Sequence, residues 1–194
     1  MNKQSLFFAL ALHLAACAPA TPEVASEESQ MSVETLVKGV EFALENGQQT
    51  IDYQNADHYT ADGEFSYSGE SWTGSIEGPV HYQWSSDDVQ WDLDATLASF
   101  GRRGEDFTGQ LDILVDEHFD ADTVQVNLTG SIDSSANGVL DVDVQIDIGW
   151  EPGLKGVVFS GTVNDEWVQG QYSKKEEVDD YADECKAPIG VDCD

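Results

Sequence analysis

Hard oxygens crowd one short stretch of this sequence, where Asp116, Glu117, Asp120 and Asp122 follow one another closely. Calcium takes six to eight oxygen ligands, so these four are the best candidates for holding it. Their spacing misses the EF-hand pattern and lacks its glycine, and solvated carboxylates at a hairpin end are the plainer reading. Asp141, Asp143 and Asp147 alternate along one segment and, with Asp92 and Asp94, would form a weakly cation-attracting face. Three histidines lie beyond the N-terminal segment, His58, His81 and His118. They fall in separate segments and are read as surface groups. G-x-S-x-G, H-E-x-x-H, P-loop and G-x-G-x-x-G patterns are all absent. Carboxylates are numerous enough to supply an acid–base pair, but no spacing singles one out. We therefore nominate no catalytic residue, expect no enzyme, and expect no cofactor, calcium being the one candidate ion.

The charge balance is extreme: 38 acidic against 8 basic residues in 194, a formal net charge of −30. Such a field repels nucleic acid and anionic headgroups. A divalent-cation protein and a solvated, aggregation-resistant surface both fit this balance. The second ranks first, because charge far from zero bears on solubility before it bears on a site.

The N-terminus carries Lys3, an apolar run from Leu6 to Leu14, and then small residues. That run is far short of the roughly 20 residues needed to span a bilayer, and the three parts together read as an export signal. Leu14-Ala15-Ala16-Cys17 resembles the lipobox of bacterial lipoproteins. The resemblance covers only the first 17 residues. It implies cleavage after Ala16, a mature chain beginning at a diacylated and N-acylated Cys17, and membrane lipid as the first partner. Several acyl chains anchor stably where one binds only marginally. Ala18 rather than Asp after the cysteine leans, within that family, toward the outer membrane, with the domain in the periplasm or at the cell surface. Cleavage removes Lys3 and none of the 38 acidic residues, leaving a net charge of −31. Export also means an oxidising compartment, so Cys185 and Cys193 are expected to pair as a disulfide in the acidic tail. Without nearby histidines they make a poor zinc site.

These residues must be placed by a scaffold, and its pattern is legible. Residues 17–31 are Ala, Pro, Glu and Ser with little to bury, and read as a disordered linker spanning roughly 20 Å. Val33, Leu36, Val37, Val40 and Leu44 recur at helical spacing, so 32–46 is predicted as a short helix capped by Ser32 and ended by Asn46-Gly47. A hairpin through Val40, Phe42 and Leu44 competes, but helix is preferred. From 47 to 173 the period switches to two. Val80, Tyr82 and Trp84 should pair with Leu93, Trp91 and Val89, leaving one apolar face. Phe107, Leu111, Ile113 and Val115 should face Ile132, Leu128, Val126 and Val124 across a turn near 118–121. A three-residue loop with Gly138 left-handed should set Val142 against Ile132. Val157, Phe159 and Val163 should lie opposite Ile148, Ile146 and Val142. Phe65 and Tyr67 are paired with Gly74 and Trp72, and these in turn with Tyr82 and Trp84 across a turn at Glu77-Gly78-Pro79. The registers align Gly109 with Gly130, Gly130 with Val144 and Val144 with Gly161, a crease of inward glycines where a sheet coils. Trp72, Trp84, Trp91 and Tyr82 fall on the apolar face as core; Trp150 and Trp167 stay open as surface aromatics.

The predicted fold is thus all-β: an antiparallel up-and-down meander of about ten strands, forming a barrel or two-layer sandwich, with one short N-terminal helix. Transmembrane strands are set aside, because aspartates fill the second face and the chain ends in an acidic tail (174–194) rather than an aromatic strand. Three functional classes remain, in descending rank. They are a membrane-tethered, non-enzymatic structural or interaction module of the cell envelope with an unidentified protein partner; a binding protein for divalent cations or an apolar small ligand; and a carboxylate-dependent hydrolase.

Overall fold

A computed structural model describes residues 23–52, 59–85, 88–118, 123–151 and 154–173. Helix α1 (Glu27–Asn46) precedes nine strands: β1 (Gln48–Ile51), β2 (Thr60–Ser68), β3 (Thr73–Trp84), β4 (Asp88–Arg102), β5 (Glu105–His118), β6 (Thr123–Ser134), β7 (Gly138–Glu151), β8 (Leu154–Val163) and β9 (Glu166–Ser173). They form a single antiparallel sheet in sequence order. The all-β meander with one helix is therefore what the chain adopts, with nine strands. Since β1 and β9 do not pair, the sheet is not closed into a barrel. Instead it bends over α1, which touches β2 and β4 of one half and β8 and β9 of the other.

The helix begins at Glu27, five residues before the predicted start at 32. Ser26, not Ser32, is the N-cap, its side chain accepting from the Ser29 N–H at 3.1 Å, and Glu27 and Glu28 suit the positive first turn. Residues 27–31 therefore belong to the helix rather than to a linker. The segment before them also adds to the sheet: Val24 forms a parallel bridge with Trp167, and backbone bonds at 2.9 and 2.7 Å cap this part of the β9 edge. Residues 17–22 of the expected linker lie outside the described residues. At the other end Asn46-Gly47 stops α1 as expected, the Gly47 N–H donating to Ala43. Val33, Leu36, Val37, Val40 and Ala43 are fully buried, so the helix is core filling. Each such large side chain contributes about 1.5–3 kcal/mol of burial. Gly39 lets this happen, since a Cβ there would stand 2.6 Å from a Trp72 ring carbon. No helix among the described residues is long and apolar enough to cross a membrane.

Parity holds along most of the sheet, with a break in β4 where the register shifts between Leu97 and Phe100 and Ser99 takes a φ of 48°. Leu111, Val144 and Phe159 are buried and Trp84 is half-buried, while Asp92, Asp94, Asp141, Asp143 and Asp147 point to solvent. The β3–β4 and β7–β8 registers are as read from sequence, including Tyr82 opposite Trp91 and Val144 opposite Gly161. Three registers differ. Leu111 pairs with Gly130 and Gly109 with Ile132, because β5 runs on to His118 and β6 begins only at Thr123. Gly138 is left-handed (φ 72°), but the loop is 135–137, so Ile132 meets Leu140 and Gly130 meets Val142. Ser134 Oγ fixes that loop by accepting the Ala136 and Asn137 N–H groups at 3.2 Å. Slips of two residues keep every side chain on its face, so apolar alternation cannot distinguish them. The third difference is larger: no turn exists at Glu77-Gly78-Pro79, which lies inside the 12-residue β3. Phe65 and Tyr67 consequently pair with Gly78 and Ile76. Trp72 sits just before β3, buried and stacked on Phe100 at 5.4 Å. The predicted row of glycines is not formed, since Gly109 meets Ile132 and Gly130 meets Leu111 and Val142; only Val144 opposite Gly161 is as expected. Gly109 and Gly130 take φ of 148° and 146°, with neighbouring strand backbone too close for a side chain.

Candidate functional site

Two residues break the alternation on the inward face of this scaffold. Glu41 occupies the apolar stripe of α1, four residues after Val37, and is 3% exposed. Glu117 follows Ile113 and Val115 on the inward face of β5. Both carboxylates arrive at one cavity of about 220 Å³, beneath the C-terminal turns of α1. Leu44 closes it from the helix, and Trp91, Val115, Val124, Val126 and Ile148 wall it from β4 to β7. Glu45 stands at its rim, exposed. The volume lies below the 300–1,000 Å³ common for drug-sized ligands.

Aromatic groups brace the site. The Trp91 indole N–H points at Glu117 Oε1 across a long 3.5 Å, and its ring packs on Tyr82 (6.3 Å) and Phe65 (6.4 Å). Tyr82 is itself held, donating its hydroxyl to Gln49 Oε1 at 2.9 Å. On the helix side the Tyr172 hydroxyl donates to Glu41 Oε2 at 2.8 Å. Lys38 lies 4.9 Å over the Tyr172 ring and bonds Glu34 at 2.9 Å. Carboxyl groups dominate the polar lining of the cavity. Three carboxylates line it, and α1 presents its negative dipole end there with no basic residue in its last turn.

The sequence-nominated calcium ligands separate. Asp116 and Glu117 are adjacent on a strand, which sends them to opposite faces. Glu117 enters the apolar cavity, whereas Asp116 lines a hollow of about 160 Å³ with Gln83, Trp84, Ser85, Asp88 and Gln90. Asp120 and Asp122 lie outside the described residues, as do Cys17, Cys185, Cys193 and His58. Among the described residues no three His, Cys, Asp or Glu side chains are grouped to hold a metal ion. On the convex face His81 is exposed, with Nδ1 2.7 Å from Asp62 Oδ1 and Asp92 opposite in register. Desolvation, with Asp94 and Asp112 nearby, holds the Asp92 carboxyl above its ordinary value, and His81 partly offsets this. Asp147 accepts from Gln125 and Gln145 on the same face. Trp167 is half-buried beside Val24.

Sequence reading had not nominated Glu41. Its signal was available all the same: a carboxylate at a helical position that spacing reserves for the core, as Glu117 is in a strand. What the sequence alone could not give was their convergence.

Comparison with known families, characterised proteins and solved structures finds no match for this chain. Function must be argued from the site.

Proposed function

We propose that this protein is a lipid-anchored lipoprotein of the bacterial cell envelope whose β domain is a non-enzymatic interaction module at the membrane surface. The observation that carries the reading is Leu14-Ala15-Ala16-Cys17 closing an apolar run too short to span a bilayer. Acylated Cys17 supplies the anchor, and the strongly acidic domain stays off anionic headgroups. A hydrolase with a carboxylate pair needs polar groups to seat a hydrated substrate. The walls between Glu41 and Glu117 are instead Leu44, Val124 and Ile148, which favours binding over bond cleavage. The test is expression of the full chain in a bacterium fed labelled palmitate, followed by detergent phase partition. Wild type should carry label and enter the detergent phase, and Cys17→Ser should do neither. A Cys17→Ser variant that still labels and partitions overturns the anchor.

The second reading is that the module binds an apolar small ligand, favoured by the cavity that Leu44, Trp91 and Ile148 wall. Titration of the full chain with small apolar probes, followed by calorimetry, tests it. Saturable binding that Val126→Trp abolishes supports the reading, and no binding by any probe removes it.

A further inference from the structure

We propose that the hollow beneath the C-terminus of α1 is filled by this chain's own tail, with Ile189 and Val191 as the plug. The proposal rests on the small-ligand reading above and supplies the regulation of that site: a guest must displace the tail to enter.

Three observations converge on this occupant. The first is where the described chain ends. Tyr172 donates to Glu41 Oε2 at 2.8 Å in the wall of the hollow, and in register it lies beside Val157, itself opposite the lining residue Ile148. Two strand spacings are about 10 Å, so β9 delivers the chain to the edge of the hollow at Ser173. The second is length. Residues 174–194 lie outside the described residues, and the 13 from Lys174 to Lys186 span up to about 45 Å when extended, several times the distance needed. A tethered segment competes at high effective concentration, and the cost of closing its loop grows only slowly with length. The third is composition. Leu44, Val124, Val126 and Ile148 present carbon to the hollow. Ala187-Pro188-Ile189-Gly190-Val191 is the one uncharged run of five in the tail.

Size and charge agree with this. A six-carbon ring occupies a cavity of about 150 Å³, so one of about 220 Å³ takes the seven side-chain carbons of Ile189 and Val191. In an extended segment these two stand on one side, with Gly190 keeping the backbone between them slim. The first residues beyond Ser173 are Lys174 and Lys175, which bring positive charge to a rim where carboxyl groups dominate. The six carboxylates from Glu176 to Glu184 belong to the spacer, which the acidic domain repels into solvent. A second copy of the chain is a poorer occupant, since it would set another net charge of −30 against the first.

The experiment is a set of thermal melts of the full chain, followed by one titration. Ile189→Asp should lower the melting midpoint by about 2–4 °C, the shift of one lost apolar contact in a chain of this length. In a Leu44→Ala background, where one wall of the hollow is gone, the same substitution should lose at least about half of that effect. Calorimetric titration with cyclohexanol then reads access. Ile189→Asp should bind it about tenfold more tightly than wild type, because a site open a tenth of the time loses that factor in apparent affinity. If Ile189→Asp melts as wild type does, or its effect adds in full to that of Leu44→Ala, the tail does not fill the hollow and the proposal is overturned. Equal cyclohexanol affinity in the two proteins also overturns it, while the small-ligand reading stands. If neither protein binds cyclohexanol but the melts are coupled as expected, the small-ligand reading falls and the plug stands.

Discussion

The two ends of the sheet treat inward-facing polar groups in opposite ways. At the end where α1 begins, Glu105 on β5, Ser134 on β6 and Ser32 on the helix also break the apolar pattern. There the breaks complete one another. Ser32 and Ser134 both donate to Glu105 Oε1, the latter at 2.8 Å, and Asn137 Nδ2 donates to Ser32 Oγ at 2.5 Å. Ser32 and Ser134 are almost wholly buried, and the network ties the helix to the β6–β7 hairpin. At the end where α1 stops, Glu41 and Glu117 surround a cavity instead. The same departure from alternation thus has two outcomes. At one end the inward polar groups bond one another across the contact between helix and sheet, whereas at the other they accept from Tyr172 and Trp91 at the wall of a cavity.

The contrast can be broken most violently at the element both ends share. Gly39→Leu would drive a side chain into Trp72 and Phe100, the latter 2.7 Å from the added Cβ, and push α1 off the sheet. We expect a loss of about 3 kcal/mol, read by chemical denaturation. Next in size is the comparison itself. Glu105→Ala at the closed end strips the acceptor from two buried hydroxyls and should cost about 2 kcal/mol. Glu117→Leu at the open end replaces a carboxylate with apolar surface among apolar neighbours and should change stability by less than about 1 kcal/mol, in either direction. Equal losses in the two variants, measured by denaturant midpoints, would erase the distinction.

The smallest effect lies on the convex face, away from both ends. Asp92 has a folded-state value above the 3.8 of the free group. Between those two values the folded state holds the proton more tightly than the unfolded chain. That contribution to stability is complete below 3.8 and is lost as pH rises through the raised value. Asp92→Asn should therefore stabilise the protein at pH 7, by less than about 1 kcal/mol for so exposed a site, and the gain should vanish in acid. Melts at pH 7 and pH 3.5 check the sign, and high salt should shrink the neutral-pH gain.

The architecture was largely legible because alternation survives along most of each long strand, β4 breaking it only between Leu97 and Phe100. Leu140 to Ile148 alone fixes which face is buried, and Tyr82 with Trp91 fixes a register through a short turn. What failed has specific causes. Pro79 and Gly78 carry turn-forming preferences but sit mid-strand in β3, where the packed sheet tolerates one missing donor. Glu27 to Met31 offer no apolar spacing, so the first helical turn is marked only by its Ser26 cap. The Asp116 and Glu117 pair looked like one site because proximity in sequence suggested a common loop. On a strand, adjacency means opposite faces. The cavity itself depends on five elements meeting, which no local pattern encodes.

The bridge between Val24 and Trp167 gives the molecule a direction. Were Cys17 acylated as proposed, the six residues to Glu23 could reach at most about 20 Å, and the end holding Ser32 and Glu105 would ride close to the bilayer. The 20 residues of α1 would then act as a mast of about 30 Å, carrying Glu41, Glu45 and their hollow toward the pole away from the lipid.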